Sequence, residues 1–449
     1  MIVSVSKSVP KGEVNAPASK SYTHRALFAA SLGDKECRLS HCLLSADTKS
    51  TTEACKMFGA EIVETKNGSG EKEIIVKGFG KNPKLPDGPI DVGNSGTTLR
   101  FMTAFSGIID GRIELTGDES IQKRPNTPLL ETLNKMGANA YSVKNNNCAP
   151  LIVEGKIKPC RVSIDGGMSS QFISALLLSC PFLENETILS IDGELKSKPY
   201  VDITLEIAKI AGIQIAELQE NENENSGKEN AGLSYQIPGN QTYAFSDYII
   251  PGDFSSVSYV LAAGALIPGA EIVVKNIFPS AQGDSALIEI LEKMGADIFW
   301  NKEAGVIKVS NTDGRRLKGI VCDVGKTPDL VPTLAVLGAF ADGEMRITNA
   351  EHVRLKETDR LKAMATELSK LGAAAKETKD ELVIFGGKSK EMKGAKLHGW
   401  DDHRIVMSLF IAGMMIGDVE IDTSESVKIS YPEFFEDMKK AGAVFEKIN

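Results

Sequence analysis

Along 449 residues two helical signatures alternate six times at near-constant spacing, so the chain must fold as repeated units and not as one irregular core. The first signature is an amphipathic run that stops at a glycine. It reads ACKMFGA, LNKMGA, IAKIAGI, LEKMGA, LSKLGA and MKKAGA, with Gly59, Gly137, Gly212, Gly295, Gly372 and Gly442 as C-caps spaced 70 to 83 residues apart. The second signature, upstream of each glycine, is an almost wholly apolar helix with a polar or glycine-rich start. These are SKSYTHRALFAASL, GNSGTTLRFMTAF, GGMSSQFISALLLS, GDFSSVSYVLAAGAL, KTPDLVPTLAVLGAF and DDHRIVMSLFIAGM. With Ser21, Gly96, Ser170, Ser256, Leu330 and Arg404 taken as equivalent, every step is 74 or 75 residues except one of 86. The long step holds the acidic, asparagine-rich stretch 217–230, which reads as an inserted flexible loop in the third repeat.

Each amphipathic helix is followed by two β-rich runs, such as AEIVE with EIIVKG, NAYSV with PLIVEG, and DIFWN with VIKVS. The repeat is therefore βαβαββ: strand, apolar helix, strand, outer helix, strand pair. The sixth repeat ends at AVFEKIN without its last strand, while the chain begins with MIVSVSKSV, a strand without a repeat, so the first strand is expected to complete the last repeat. That closure predicts two domains: 20–243 with repeats one to three, and 1–19 plus 244–449 with repeats four to six. An apolar helix needs cover on all sides, whereas an amphipathic one needs it on one. The expected fold class is α/β (α+β), an inside-out α/β barrel in each domain, with buried central helices and outer sheets.

Composition removes several functional classes. A formal net charge of −9 disfavours nucleic acid as a partner, because phosphate backbones require a basic surface. The longest apolar stretches, such as 409–417, fall short of the roughly 20 residues that cross a bilayer, and the N-terminus offers no signal peptide. Seven scattered cysteines with no C-x-x-C pair read as reduced structural thiols in a cytoplasmic protein. The five histidines show no ligand spacing either, so neither a metal nor another cofactor is expected.

What the repeats do predict is an anion site. The first turn of a helix carries unpaired N–H groups and a positive dipole end, and six apolar helices supply six such ends. There the sequence places Lys20, Ser21 and Arg25 in repeat one, Asn94, Gly96 and Arg100 in repeat two, and Ser169, Ser170 and Gln171 in repeat three. Repeat five adds Asp329, and repeat six adds Asp402, His403 and Arg404. Further cations sit at Lys123 and Arg124, and at Arg354, Lys356 and Arg360, a density suited to a ligand with several negative groups. Each feature also has an ordinary reading. Ser21 and Ser169 serve as well for N-caps, the turn at 93–96 is common before helices, and KETDR suits a solvated helix start with internal ion pairs.

Taken in order, APASKSYTHRAL at 16–27, GNSGTTLR at 93–100, Arg124-Pro125, SSQF at 169–172, SKPY at 197–200, Pro328-Asp329, RLKETDRL at 354–361 and DDHR at 401–404 resemble the enolpyruvyl transferase family. The likeness covers essentially the whole chain and is to the branch that works on shikimate 3-phosphate. It implies that phosphoenolpyruvate and shikimate 3-phosphate are the small-molecule partners, that they meet between two domains that close on them, and that the enzyme is a monomer. By that resemblance Lys20, Ser21, Arg25, Ser169, Ser170, Gln171, Ser197, Tyr200, Asp329 and Lys356 hold shikimate 3-phosphate. Lys20, Asn94, Gly96, Arg124, Gln171, Arg360, Arg404 and Lys428 hold phosphoenolpyruvate. Lys428 lies near Tyr431-Pro432, one position out of the family's register, and His352 stands where some members have asparagine. The implied reaction adds a ring hydroxyl to C2 of phosphoenolpyruvate, protonates C3, and expels phosphate from the tetrahedral intermediate. It needs both an acid and a base. Asp329 is the candidate acceptor of the hydroxyl proton, with Glu357 and Lys20 the candidates for proton traffic at C3 and at the departing phosphate. Gly96 leaves room beside phosphoenolpyruvate, so the inhibitor glyphosate is expected to compete with it.

Two other readings use the same residues. A sister transferase acting on a UDP-amino sugar shares the cosubstrate, but it lacks the SKS-x-x-x-R pattern and carries a cysteine in the loop before R-P, where this chain reads GDESIQK. A noncatalytic binder of anionic metabolites would need the cations but not Asp329, Glu357 and Lys20 together.

Overall fold

The six apolar runs form helices that water scarcely reaches. They are α1 (Lys20–Leu32), α3 (Gly96–Ser106), α5 (Ser170–Ser179), α7 (Phe254–Leu266), α9 (Val331–Phe340) and α11 (His403–Ile416). Every residue of α7 and of α9 is buried. Each fully buried leucine or phenylalanine contributes about 1.5–3 kcal/mol relative to exposure, so these helices favour the interior regardless of their modest intrinsic propensity. Between them come the one-sided helices α2 (Ala46–Met57), α4 (Thr127–Lys135), α6 (Lys198–Ile210), α8 (Leu287–Met294), α10 (Arg360–Lys370) and α12 (Phe434–Lys440). The glycine that follows each of these six has φ between +77° and +107°, a left-handed conformation that costs glycine little and ends the helix.

The computed structural model describes residues 1–448 apart from 67, 69–71, 220–231 and 388–390. It divides into two domains, Lys20–Ile250 and Met1–Ser19 with Pro251–Asn449. Among the described residues each domain carries three separate four-stranded sheets. Within a sheet the first two strands are parallel and the last two antiparallel to their neighbours, as in Ile90–Asp91, Arg112–Thr116, Leu151–Glu154 and Asn139–Ser142. Parallel neighbours require a crossover, and in that sheet α3 supplies it. The helices approach their sheets closely through glycine in the second domain. A Cβ on Gly264 of α7 would lie 2.5 Å from Val309, one on Gly338 of α9 2.6 Å from Met345, and one on Gly413 of α11 2.9 Å from Val5.

Strand Ile2–Ser6 lies between Val419–Ile421 and Val444–Ile448, antiparallel to both, in the sixth repeat. The second crossing differs from the expectation. Residues 244–250 stay with the first domain, because Tyr248–Ile249 pairs in parallel with Leu39–Ser40 of the first repeat. The fourth repeat draws its opening strand from the N-terminus instead, as Lys11–Asn15 runs parallel to Glu271–Lys275. The chain therefore changes domain between an opening strand and its helix, at Ser19–Lys20 and at Ile250–Pro251. The expected loop at 217–230 is met by strand at its first three residues. Strand Ala216–Gln219 pairs with Leu233–Ile237, and the rest of that stretch lies outside the described residues.

Candidate active site

In each domain the opening turns of the three apolar helices are stitched together by polar side chains. In the first domain His24 of α1 bonds Thr51 of α2 at 2.7 Å, and Thr51 bonds Thr98 of α3 at 2.7 Å. Gln171 Nε2 of α5 donates to Thr97 of α3 at 3.1 Å, and Arg25 of α1 donates to Ser174 of α5 at 3.3 Å. In the second domain Ser258 of α7 meets Thr333 of α9 at 2.9 Å, and Arg404 of α11 donates to the Tyr259 hydroxyl of α7 at 3.4 Å. Capping oxygens fix where these helices start: Ser95, Ser169, Asp253 and Asp402 accept from the first-turn N–H groups of α3, α5, α7 and α11. The N-cap reading of Ser169 thus holds, its side chain accepting from the Gln171 N–H.

The first domain brings its expected residues into three groups. Asn94, Gly96, Arg124 and Gln171 form one, with Arg100. A Cβ at Gly96 would stand 2.7 Å from Arg100 Nη1, 3.3 Å from Arg124 Nη1 and 3.5 Å from Gln171 Oε1. Arg124 donates to Asn94 Oδ1 at 2.8 Å and to Ser120 Oγ at 2.9 Å, while Asn94 donates to Asp118 at 2.6 Å. The second group is the Lys20–Asp47 ion pair, Nζ to Oδ2 3.0 Å, at the starts of α1 and α2. The third surrounds Arg25, which donates to Thr204 Oγ1 at 2.7 Å and to the carbonyls of Ser21 and Tyr200, both at 3.0 Å. Burial pushes Arg25 down to about 10, with Tyr200 and Tyr22 opposing, so it remains a cation at neutral pH. Ser197 opens α6 with φ +57°, a left-handed position that a serine occupies only when its surroundings hold it there.

The second domain concentrates charge around one guanidinium. Arg360, 1% exposed, donates through Nε to Asp402 at 2.8 Å, through Nη1 to Asp329 at 2.8 Å and through Nη2 to Glu357 at 2.6 Å. The other oxygen of Asp329 takes Arg404 Nη2 at 2.7 Å. Burial works to lower the pKa of Arg360, but Asp402, Glu357 and Asp329 outweigh it and raise it. Lys356 is lowered, by burial first, with Asp329 opposing and Arg360 assisting. A lysine so placed gives up a proton more readily than a solvated one. Arg360 is more fully matched by acids than the sequence suggested: its cation, which the motif offered to a ligand, already faces three carboxylates. Lys428 is exposed on the 3-10 turn Ser424–Ile429 and makes no bond to this cluster among the described residues.

Several polar residues of these networks, among them Asp47, Thr51, Ser258 and Tyr259, lie outside the family motifs named above. Tertiary packing brings Asp47 to Lys20 within the first repeat and Tyr259 of the fourth repeat to Arg404 of the sixth. Among the described residues no group of three or more histidine, cysteine or acidic side chains is arranged to hold a metal, and no helix is long and apolar enough to cross a membrane.

Comparison with known proteins bears on what such a site does. A family model described as EPSP synthase (3-phosphoshikimate 1-carboxyvinyltransferase) matches residues 6–438. The chain is 55% identical over 449 residues to the 3-phosphoshikimate 1-carboxyvinyltransferase of Methanosarcina acetivorans, covering 100% of both chains. To the protein of the same name in Methanococcoides burtonii it is 54% identical over 443 residues, covering 99% of this chain and 98% of that one. Among solved structures, EPSP synthase from Acinetobacter baumannii superposes with a TM-score of 0.79 at 27% identity, with 99% of each chain covered. The enolpyruvyl transferase NikO from Streptomyces tendae, at 17% identity and a TM-score of 0.73 over 99% of this chain and 98% of that one, shares the fold.

Proposed function

The chain belongs to the EPSP synthase family, and from that membership we propose how its own residues divide the work. The reaction transfers the enolpyruvyl group of phosphoenolpyruvate to the 5-hydroxyl of shikimate 3-phosphate, with release of phosphate, in the shikimate pathway. The hydroxyl oxygen bonds to C2 while C3 gains a proton; C3 then loses a proton as the C2–O bond to phosphate breaks, leaving the vinyl ether.

The observation that carries the residue assignment is Asp329, held at both oxygens by Arg360 and Arg404. A carboxylate gripped on two sides keeps one orientation, which a base needs if it is to take a proton from one particular hydroxyl. Glu357, on the third arm of Arg360, and Lys20, paired with Asp47, are the groups for proton traffic at C3 and at the departing phosphate. Arg124, Gln171, Asn94 and the open space at Gly96 bind phosphoenolpyruvate with Lys20, Arg360, Arg404 and Lys428. Ser21, Arg25, Ser169, Ser170, Gln171, Ser197, Tyr200 and Lys356 bind shikimate 3-phosphate with Lys20 and Asp329. Two phosphates and two carboxylates suit arginines and helix starts, since charge-assisted bonds are about twice as strong as neutral ones. The enzyme works as a cytoplasmic monomer without a metal; seven cysteines with no disulfide favour a reducing compartment.

Phosphate release with phosphoenolpyruvate and either shikimate 3-phosphate or a UDP-amino sugar tests the reading. Turnover is expected with the first acceptor only and unchanged by a chelator. Silence with shikimate 3-phosphate would overturn it.

A further inference from the structure

The fourth repeat has no residue in the assignment above, yet it buries a carboxyl inside the second domain's charged network. Asp284 sits on the 3-10 turn Gly283–Ala286 and is 4% exposed. The Ser255 hydroxyl, in the first turn of α7, donates to its Oδ2, while Oδ1 is buried with no partner among the described residues. Burying an unsatisfied carboxyl oxygen is unfavourable, and sites that retain one usually use it. The turn itself is firmly seated. Gln282 accepts from the Phe254 N–H at 3.1 Å and donates to the Gly252 carbonyl at 2.8 Å.

Two turns lean against α7, the one that carries Asp284 and Pro328–Leu330, which carries Asp329. On α7, Ser255 and Tyr259 are four residues apart and so share a face. Ser255 holds Asp284, and Tyr259 accepts from Arg404, whose other nitrogen holds Asp329. One helix face thus links the buried carboxyl to the ion pair.

We propose that Asp284 is a positioning residue for the Asp329–Arg404 pair: a buried carboxyl of the fourth repeat whose charge state sets how completely Arg404 is committed to Asp329. This rests on the reading of Asp329 as an acid–base group. A neutral Asp284 leaves Arg404 to Asp329. An ionised one competes for the guanidinium and adds negative charge where two anionic substrates must bind.

Both states lie within reach of neutrality. Burial first, and then the field of Asp329, push the Asp284 carboxyl up to about 7; Ser255 and Arg404 oppose the rise and Asp253 adds to it. Two helices pack against the turn, α7, whose titratable group is Tyr259, and α8. Helix α7 contains no charged residue, and α8 turns Glu289, Glu292 and Lys293 to solvent.

The test is a pH profile of kcat and of kcat/KM for phosphoenolpyruvate on the full chain, with Asp284→Asn, Ser255→Ala and Asp329→Asn beside the wild type. Wild-type kcat/KM is expected to fall about tenfold as pH rises through the Asp284 inflection, the equivalent of about 1.4 kcal/mol. Asp284→Asn, a neutral isostere, should keep the low-pH value on both sides, and Ser255→Ala should move the inflection upward. A wild type without the inflection, or an Asp284→Asn profile that superimposes on the wild type, overturns the proposal. If Asp284→Asn does not fold, an inflection left in place by Ser255→Ala overturns it as well. Asp329→Asn separates this idea from its premise: retained kcat in that variant sinks the base assignment, whatever Asp284 does.

Discussion

Arg360 donates its Nη1–H to Asp329 Oδ1 at 2.8 Å from a position 1% exposed, and the same guanidinium also holds Glu357 and Asp402. One cation thus orients three acids, Asp329 and Glu357 from its own fifth repeat and Asp402 from the sixth. Removing it would strand them together.

Arg360→Met should therefore destabilise the protein as well as inactivate it. Breaking a buried pair from one side costs about 3–5 kcal/mol, and here three partners lose their cation. Urea melts at neutral pH would show it, and Arg360→Lys should recover only part, since an ammonium cannot reproduce the planar fork. A midpoint unchanged in Arg360→Met would contradict the role given to this residue.

Lys20 is the corresponding point in the first domain, with Asp47 at 3.0 Å. Lys20→Met is expected to raise the KM for phosphoenolpyruvate and to lower kcat by about 10²-fold or more, the range of a lost acid–base group. Steady-state phosphate release separates the two parameters. A change in KM alone would reduce Lys20 to a binding residue.

At Gly96 the proposed phosphoenolpyruvate site depends on a missing side chain. A Cβ there would stand 2.7 Å from Arg100 Nη1 and 3.3 Å from Arg124 Nη1, so both guanidiniums must move. Overpacking of this kind costs about 1–3 kcal/mol, which predicts a rise of about tenfold in the KM for phosphoenolpyruvate in Gly96→Ala. Glyphosate should inhibit the wild type competitively with phosphoenolpyruvate and inhibit the variant less. Equal inhibition constants in the two proteins would mean that this space is not where either compound sits.

His24 gives a pH dependence of stability. Burial first, and then Lys20 and Arg25, hold its pKa well below 6.5, so the folded protein keeps it neutral. Above that value the ring is neutral in both states and contributes no slope. As pH falls below it, the unfolded chain takes up a proton that the folded chain refuses, and stability drops by up to about 1.4 kcal/mol per pH unit. His24→Asn removes this component, so wild type minus variant should be flat above about pH 7 and decline toward about pH 5. Parallel unfolding titrations across that range measure the difference; a flat line throughout would place the ring in water.

The periodic features were legible because each depends on a few adjacent residues. A left-handed C-cap favours glycine locally, which is why Gly59 through Gly442 mark six helix ends without reference to anything distant. The same holds for the capping oxygens of Ser95, Ser169 and Asp402, and for the total burial of α9, which follows from its lack of any polar face. Family resemblance then supplied the names of most candidate residues, but not their partners. Nothing near Arg360 in the chain announces Asp402, 42 residues away, and nothing in the repeats singled out Asp284.

The chain alone thus determined the repeat, the order of buried and outer helices, the stop of each outer helix and the positions of its cations, since these follow from short-range backbone preference and hydrophobic periodicity. Tertiary structure decided where the chain changes domain, because that turns on Tyr248–Ile249 finding Leu39–Ser40 about two hundred residues earlier. It also decided which charges meet. Around Arg360 it set Asp329 and Glu357 of the fifth repeat beside Asp402 of the sixth, because in a buried medium an unmatched charge is costly.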